Sequence, residues 1–308
     1  MKRRNAAVVG EIYMDHIFMG FESWPKPGEE VFTQQYAQEV GGGGAITACA
    51  LARLGRSVSL IGVVGSEDRP WLERRFANFG VSLDVLHSGN GRTGVTVSVS
   101  TTEDRSFFTY IGENTHLTKH LMSQSVIDTM VQSDHVHFAM PLPASTAGQI
   151  LPLLRSAGCT VSLDVGHHVG WLRDPANRRI CAAVDHLLPN KYEAELLCGA
   201  NAKSYLDFTQ RNGWRSGVVK LGARGAAMRQ EAHTWRVASP SVKVVDTTGA
   251  GDAFNAGFID GLLDEATGEE CLRRGCVCGS MSTRVAGALG GLPNKREFQD
   301  FYEQSYRS

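Results

Sequence analysis

Short apolar, β-branched runs alternate with helix-period segments along most of this chain, and that alternation restricts its fold more than any other feature. The runs Ala6 to Gly10, Val58 to Val64, His135 to Ala139, Thr160 to Val165, His186 to Leu188 and Val218 to Leu221 read as strands. Helical patterns fit between or after them, as in Ala45 to Leu54, Trp71 to Phe79 and Ala253 to Leu263. Strands separated by helices are joined by crossovers, so they run parallel and the helices cover both faces of the sheet. The expected fold is α/β, three layers deep (α/β/α), around a mostly parallel central sheet.

Two stretches, 12–40 and 92–112, break this rhythm. In the second, Thr93 to Ser100 alternates with period two and runs on to Arg105-Ser-Phe-Phe-Thr-Tyr110, as suits a sheet with one apolar face. The two excursions are expected to pair as a small β lid, leaving 1–11, 41–91 and 113–308 as the body. A small open sheet leaves an edge and an apolar face through which two copies could pair.

Lys and Arg number 31 against 32 Asp and Glu, so no global field recruits nucleic acid or an anionic membrane. The basic start Lys2-Arg3-Arg4 superficially resembles a secretion signal, but Glu11 and Asp15 interrupt the apolar stretch behind it, and no run is long enough to span a bilayer. The expected compartment is the cytoplasm. Seven cysteines without a C-x-x-C pair read as reduced. Cys276 and Cys278, two apart on a helix, are expected to face different ways as buried small side chains. His135 and His137 share a strand face as two zinc ligands might, but no third ligand is apparent and a structural role is expected.

The most informative run is Val244-Val-Asp246-Thr-Thr-Gly249-Ala250-Gly251-Asp252-Ala-Phe-Asn-Ala-Gly257-Phe258. It breaks at glycines and re-forms as a helix, whose first amides and macrodipole favour negative charge, so the turn suits a phosphoryl group in transit. Asp252, at the start of that helix, is expected to stay ionised and accept a proton. A capping aspartate beside a glycine turn is the plain structural alternative.

This run resembles the C-terminal signature of the ribokinase-like (PfkB) carbohydrate kinases. The resemblance implies an ATP-dependent phosphotransferase, with Asp252 as general base, Gly249, Ala250 and Gly251 as the anion hole, and Asp246 helping to hold a monovalent cation, commonly potassium. Other features of the family occur in the same order along nearly the whole chain. Gly10-Glu-Ile-Tyr-Met-Asp15 resembles the strand and turn whose aspartate binds sugar hydroxyls, and Gly41 to Ala45 the run where Gly42, Gly43 and Gly44 let the sugar approach the backbone. Asn190-Lys-Tyr-Glu193 resembles the N-x-x-E motif that organises magnesium and the ATP phosphates, with Glu193 acting through water. As plain sequence the same pair is a favoured helix start. Lys220-Leu-Gly222-Ala-Arg-Gly225 resembles the strand-end turn that receives the nucleotide, and Ala286 to Gly291 the loop that borders adenine and completes the cation site.

The chain departs from the pattern in three places. Ile46 stands where many relatives carry a sugar-contacting asparagine, and isoleucine offers no hydrogen bond. Lys220 replaces a common threonine, and Asp164-Val-Gly166 replaces an aspartate-proline-asparagine turn. Substrate identity therefore does not carry over. Arg92 and Arg105, in the lid, are positioned to meet an anionic group, with Arg105 taken as a substrate contact. A nucleoside kinase of the same fold, with Phe107, Phe108 or Tyr110 stacking on a base, and a non-catalytic sugar- or nucleotide-binding regulator remain as alternatives. The first strand lacks G-x-G-x-x-G and no G-x-x-x-x-G-K-[ST] occurs, so the nicotinamide and P-loop fingerprints are both missing.

Overall fold

The computed structural model describes residues 5–102, 105–199, 201 and 204–306. Its main sheet has eight strands in the order His233–Val237, Ala226–Gln230, Ser216–Lys220, His186–Leu187, Thr160–Leu163, His135–Ala139, Asn5–Gly10, Ser57–Ile61. The last six in that order run parallel, and the first two return antiparallel.

Burial explains why Asn5–Gly10 lies inside the sheet. Ala7 and Val9 pack into one apolar cluster and Ala6 and Val8 into another, so period-two alternation buries both faces rather than one. The expected strand Val58 to Val64 breaks at Gly62, and Val63–Gly65 pairs instead with His87–Gly89. Cys276 and Cys278 do face different clusters. His135 and His137 are fully buried and share the Ser162 hydroxyl, each through a 2.7 Å hydrogen bond; the second His135 nitrogen bonds Thr160 Oγ1 at 2.7 Å, whereas His137 Nε2 is buried without a hydrogen-bond partner among the described residues.

The four-stranded second sheet has the order Gln35–Gly41, Tyr13–Phe21, Gly94–Thr101, Arg105–Tyr110. Only its middle pair is parallel. Little of it is buried: Ile17, Val40 and Ser98 are, whereas Tyr36, Phe107, Phe108 and Tyr110 are all more than half exposed. Trp24 stacks on Phe108 at 5.8 Å between ring centres.

In the main sheet the chain leaves Asn5–Gly10 toward Ser57–Ile61 and later returns on the other side at His135–Ala139. Such a reversal opens a crevice at the carboxyl ends of the strands, the usual ligand site of open α/β sheets. Gly10, Ala139, Asp164 and Lys220 end or follow their strands there.

Candidate active site

The helix Ala250–Leu263 begins one residue after Gly249, which sits in the left-handed region at φ 72. The helix therefore starts earlier than the apolar pattern from Ala253 indicates, and Ala250, Gly251 and Asp252 form its first turn. The Ala250 amide donates to the Thr247 carbonyl at 3.2 Å. Of the expected anion hole, one donor is thus already engaged in the turn. Ile46, buried and apolar, comes within 3.2 Å of the space over Gly249 and walls the hole on its far side.

Asp252 differs from expectation in its charge. Burial, then the like charge of Asp164, push its carboxyl up to about 7, with Lys220 opposing them and Glu193 adding to them. The helix end does not outweigh a site containing two other carboxylates. A base poised near neutrality is well matched to taking a proton from an alcohol.

The glycine run presses against this helix. A side chain at Gly43 would lie 3.0 Å from Asp252 Oδ1, and one at Gly44 would lie 2.7 Å from the Gly10 Cα. The space beside Gly41 is filled by the Asp15 carboxylate, and Gly42 passes over the Glu11 carbonyl. Burial and then Glu39 raise the Asp15 carboxyl to about 7. Residues 41–43 thus form a floor with Asp15 at one end and Asp252 at the other.

Asn190 and Glu193 close a capping box on the helix Lys191–Cys198. Glu193 N donates to Asn190 Oδ1 at 3.0 Å, while Glu193 Oε2 and Oε1 accept from Asn190 N and Nδ2 at 2.8 and 2.7 Å. Burial and then Asp164 raise the Glu193 carboxyl to about 7, against Lys220. Both Glu193 oxygens have a partner, so this donor set fits magnesium held through water on a nucleotide's phosphates rather than a directly ligated ion.

Lys220 is buried at the end of Ser216–Lys220, with its ammonium 2.6 Å from Asp164 Oδ2 and 3.2 Å from Asn255 Oδ1. The next residues turn back at Gly222 and Gly225. Gly225 has φ 88, and a Cβ there would fall 1.9 Å from the Val237 carbonyl, so no other residue fits.

Asp246 is held below the usual carboxylate range despite burial, because the amides of Gly287 and Thr248 donate to it at 2.9 Å each and Arg105 pairs with it. The Gly287 contact brings the 286–291 loop against Asp246. Arg105 reaches across from the small sheet and also donates to Thr247 Oγ1 at 2.6 Å and Thr248 Oγ1 at 2.5 Å. Both Asp246 oxygens are thus occupied, and the carboxylate does not fit a monovalent cation while the guanidinium holds it. Arg92 lies apart, exposed and paired with Glu67 at 3.2 Å.

A cavity of about 610 Å³ joins the helix start at Asn190 and Glu193, Lys220, the turn at Gly222 and Gly225 and the Asp252 helix start, lined among others by Asn190, Glu193, Lys220, Gly225, Gly251 and Asp252. Its volume suits a mononucleotide-sized ligand. One wall is the irregular segment Ser239 to Val244, which carried no sequence signal. Asn255 was also missed as a site residue. Its spacing of three from Asp252 on one helix face was the available clue.

Comparison with known proteins identifies the family. The chain is 28% identical to the ribokinase of Haemophilus influenzae over 98% of its own length and 100% of that protein. It is 31% identical to an ATP-dependent ribose-1-phosphate kinase of Halopiger xanaduensis, covering 86% of this chain and 87% of that one. The solved structure of Arabidopsis thaliana ribokinase complexed with ribose and ATP superimposes with a TM-score of 0.86 at 26% identity, covering 98% of this chain and 99% of that one. The profile described as pfkB family carbohydrate kinase matches residues 3–295, and the chain belongs to that family.

Proposed function

We propose that this carbohydrate kinase transfers the γ-phosphoryl group of ATP to a hydroxyl, probed first as a primary hydroxyl, of a sugar or sugar derivative, with Asp252 as the base. The observation that carries this reading is the first turn of Ala250–Leu263, where one helix end offers backbone amides, the Asp252 carboxylate and the neighbouring Lys220 ammonium to a single cavity.

The sugar lies on the floor of Gly42, Gly43 and Gly44, with its hydroxyls accepted by Asp15 and its reacting hydroxyl at Asp252. The nucleotide runs along the cavity past Gly222 and Gly225, with its phosphates toward Lys220, Asn190 and Glu193. Asp252 takes the hydroxyl proton as the oxygen attacks phosphorus in line. An O–P bond to the sugar forms, the bridging bond to ADP breaks, and the Gly249, Ala250 and Gly251 turn stabilises the charge in transit. Magnesium, when bound on the phosphates, neutralises their charge, with Glu193 and Asn190 holding its waters.

Residues 12–40 and 92–112 act as the lid that excludes water, over a body of 1–11, 41–91 and 113–308. Potassium, as a counter-ion for Asp246, competes with Arg105. Arg105 in turn ties the lid to the turn carrying the anion hole, and through that tie shapes the sugar site. The exposed Phe108 and Tyr110, which share one face of their strand, support pairing of two copies through the lid, which sedimentation showing monomer alone would refute. No helix among the described residues is long and apolar enough to cross a membrane, and we place the protein in the cytoplasm.

The relatives named as ribokinases and a ribose-1-phosphate kinase make ribose and its phosphates the first acceptors to try. ADP release from Mg-ATP across pentoses, ketohexoses, sugar acids, sugar phosphates and nucleosides tests the reading. Turnover on one class names the substrate. A nucleoside as the best acceptor would replace the sugar reading, and ATP binding without turnover on any of them would favour the regulator.

A further inference from the structure

The cavity's charge is unbalanced for its proposed ligand. Asp164, Glu193 and Asp252 bring carboxylates to it, and Lys220 is the one cationic side chain among the described residues that line it. A triphosphate entering such a site meets like charge unless that ammonium stands where the phosphates arrive. It stands close to the chemistry: a side chain placed on Gly251, in the first turn of the base-bearing helix, would meet Lys220 Nζ at 3.4 Å.

Two separate segments fix the ammonium there. Asp164, just beyond the strand Thr160–Leu163, pairs with it at 2.6 Å. Asn255 accepts from it at 3.2 Å and donates its own amide to Asp164 Oδ2 at 2.6 Å, closing a triangle of hydrogen bonds. Asn255 is fully buried and lies one turn after Asp252, so the helix that aims the base also aims the cation's holder. The neighbouring Gly166 has open space on its side-chain face and lines the cavity. Gly166 adds no side chain to the cavity, and Lys220 reaches it from the next strand but one.

We propose that Asp164 and Asn255 are positioning residues that hold the Lys220 ammonium beside Gly251, where it neutralises charge on the phosphoryl group during transfer. The proposal rests on the kinase reading above. Burial alone would drive the Lys220 proton off, but Asp164 and Glu193 more than offset it and keep the group charged. Lys220 is then a preformed counter-charge at the γ-phosphate, which ATP carries and ADP lacks.

The test is calorimetric titration of Mg-ATP and Mg-ADP into the wild type, K220M, D164N, N255A and the D164N/K220M double variant, with turnover measured on the acceptor that the panel identifies. K220M should lose ATP affinity roughly tenfold more than ADP affinity, and turnover by on the order of a hundredfold, the cost of removing one preorganised electrostatic group. D164N and N255A should show the same ATP-selective loss, smaller in size. Because Asp164 acts through Lys220, the double variant should match K220M rather than add to it.

A single substitution leaves a buried charge unpaired and can prevent folding. The double variant leaves none and carries the test in that event. Equal losses for ATP and ADP, or a double variant with the wild-type ATP preference, would overturn the proposal. If D252A turns over at the wild-type rate, the assignment of the base falls while the ATP-to-ADP comparison still decides the role of Lys220.

Discussion

The end of the main sheet and the small sheet solve opposite problems. At the sheet end, glycines bring backbone within touching distance of backbone and carboxylates are held at abnormal protonation: Gly44 lies against Gly10, and Asp252 and Glu193 are both raised to about 7. The small sheet is half-solvated, with Phe107 and Phe108 more than half exposed and few fully buried side chains. The first region has little tolerance for change because each group is fixed by several others. The second has few buried contacts to lose on moving, as the proposed lid role requires. Arg105 joins them, since it belongs to the small sheet and is bound at the turn that precedes the helix Ala250–Leu263.

If this contrast holds, substitutions in the two regions should separate by size of effect. Gly44→Ala forces a Cβ to within 2.7 Å of the Gly10 Cα and should cost about 3 kcal/mol of stability by denaturant unfolding. A loss under about 0.5 kcal/mol would show that the close approach is not enforced.

The second effect has the opposite sign. A carboxyl raised in the folded state to about 7 favours folding less and less as pH rises from its unfolded value to that pH. Asp252→Asn should therefore be more stable than wild type at pH 8, on the order of 2 kcal/mol after allowing for solvent screening. The gain should shrink toward pH 5 and vanish below about 4. Melting curves across that range check it, and a pH-independent difference would deny that burial raises Asp252.

Arg105→Ala should free Asp246 for a monovalent cation. The variant should be stimulated by potassium several-fold more than wild type, with the acceptor KM raised roughly fivefold, about 1 kcal/mol. Equal potassium responses would show that the guanidinium and the cation do not compete. The smallest effect is expected at Phe108→Ser, within about 0.5 kcal/mol in stability. A large loss there would mean that the small sheet is as tightly built as the main one.

The architecture was legible in the sequence because it depends on local pattern. The continuous apolar run at Ala6 to Gly10 and helical spacing after Ala253 are properties of a few consecutive residues. The glycine run and the Asp252 turn were legible for the same reason, since each acts through its own backbone. What depends on strand order was not legible. Lys220 meets Asp164 across 56 residues and Asn255 meets Asp164 across 91, because parallel strands distant in the chain end at one crevice. Arg105 was singled out, but its partner Asp246 lies 141 residues away. The rise of the Asp252 carboxyl was not legible because a helix end is visible in sequence and the neighbouring carboxylates are not.

The central claim is that one helix end does the chemistry while the cavity beside it does the binding. The most direct measurement is Mg-ATP affinity alongside single-turnover phosphoryl transfer in Asp252→Ala. Affinity within about threefold of wild type, with transfer slowed on the order of a thousandfold, is the predicted result. Transfer at close to the wild-type rate would contradict it, because another group would then be taking the proton.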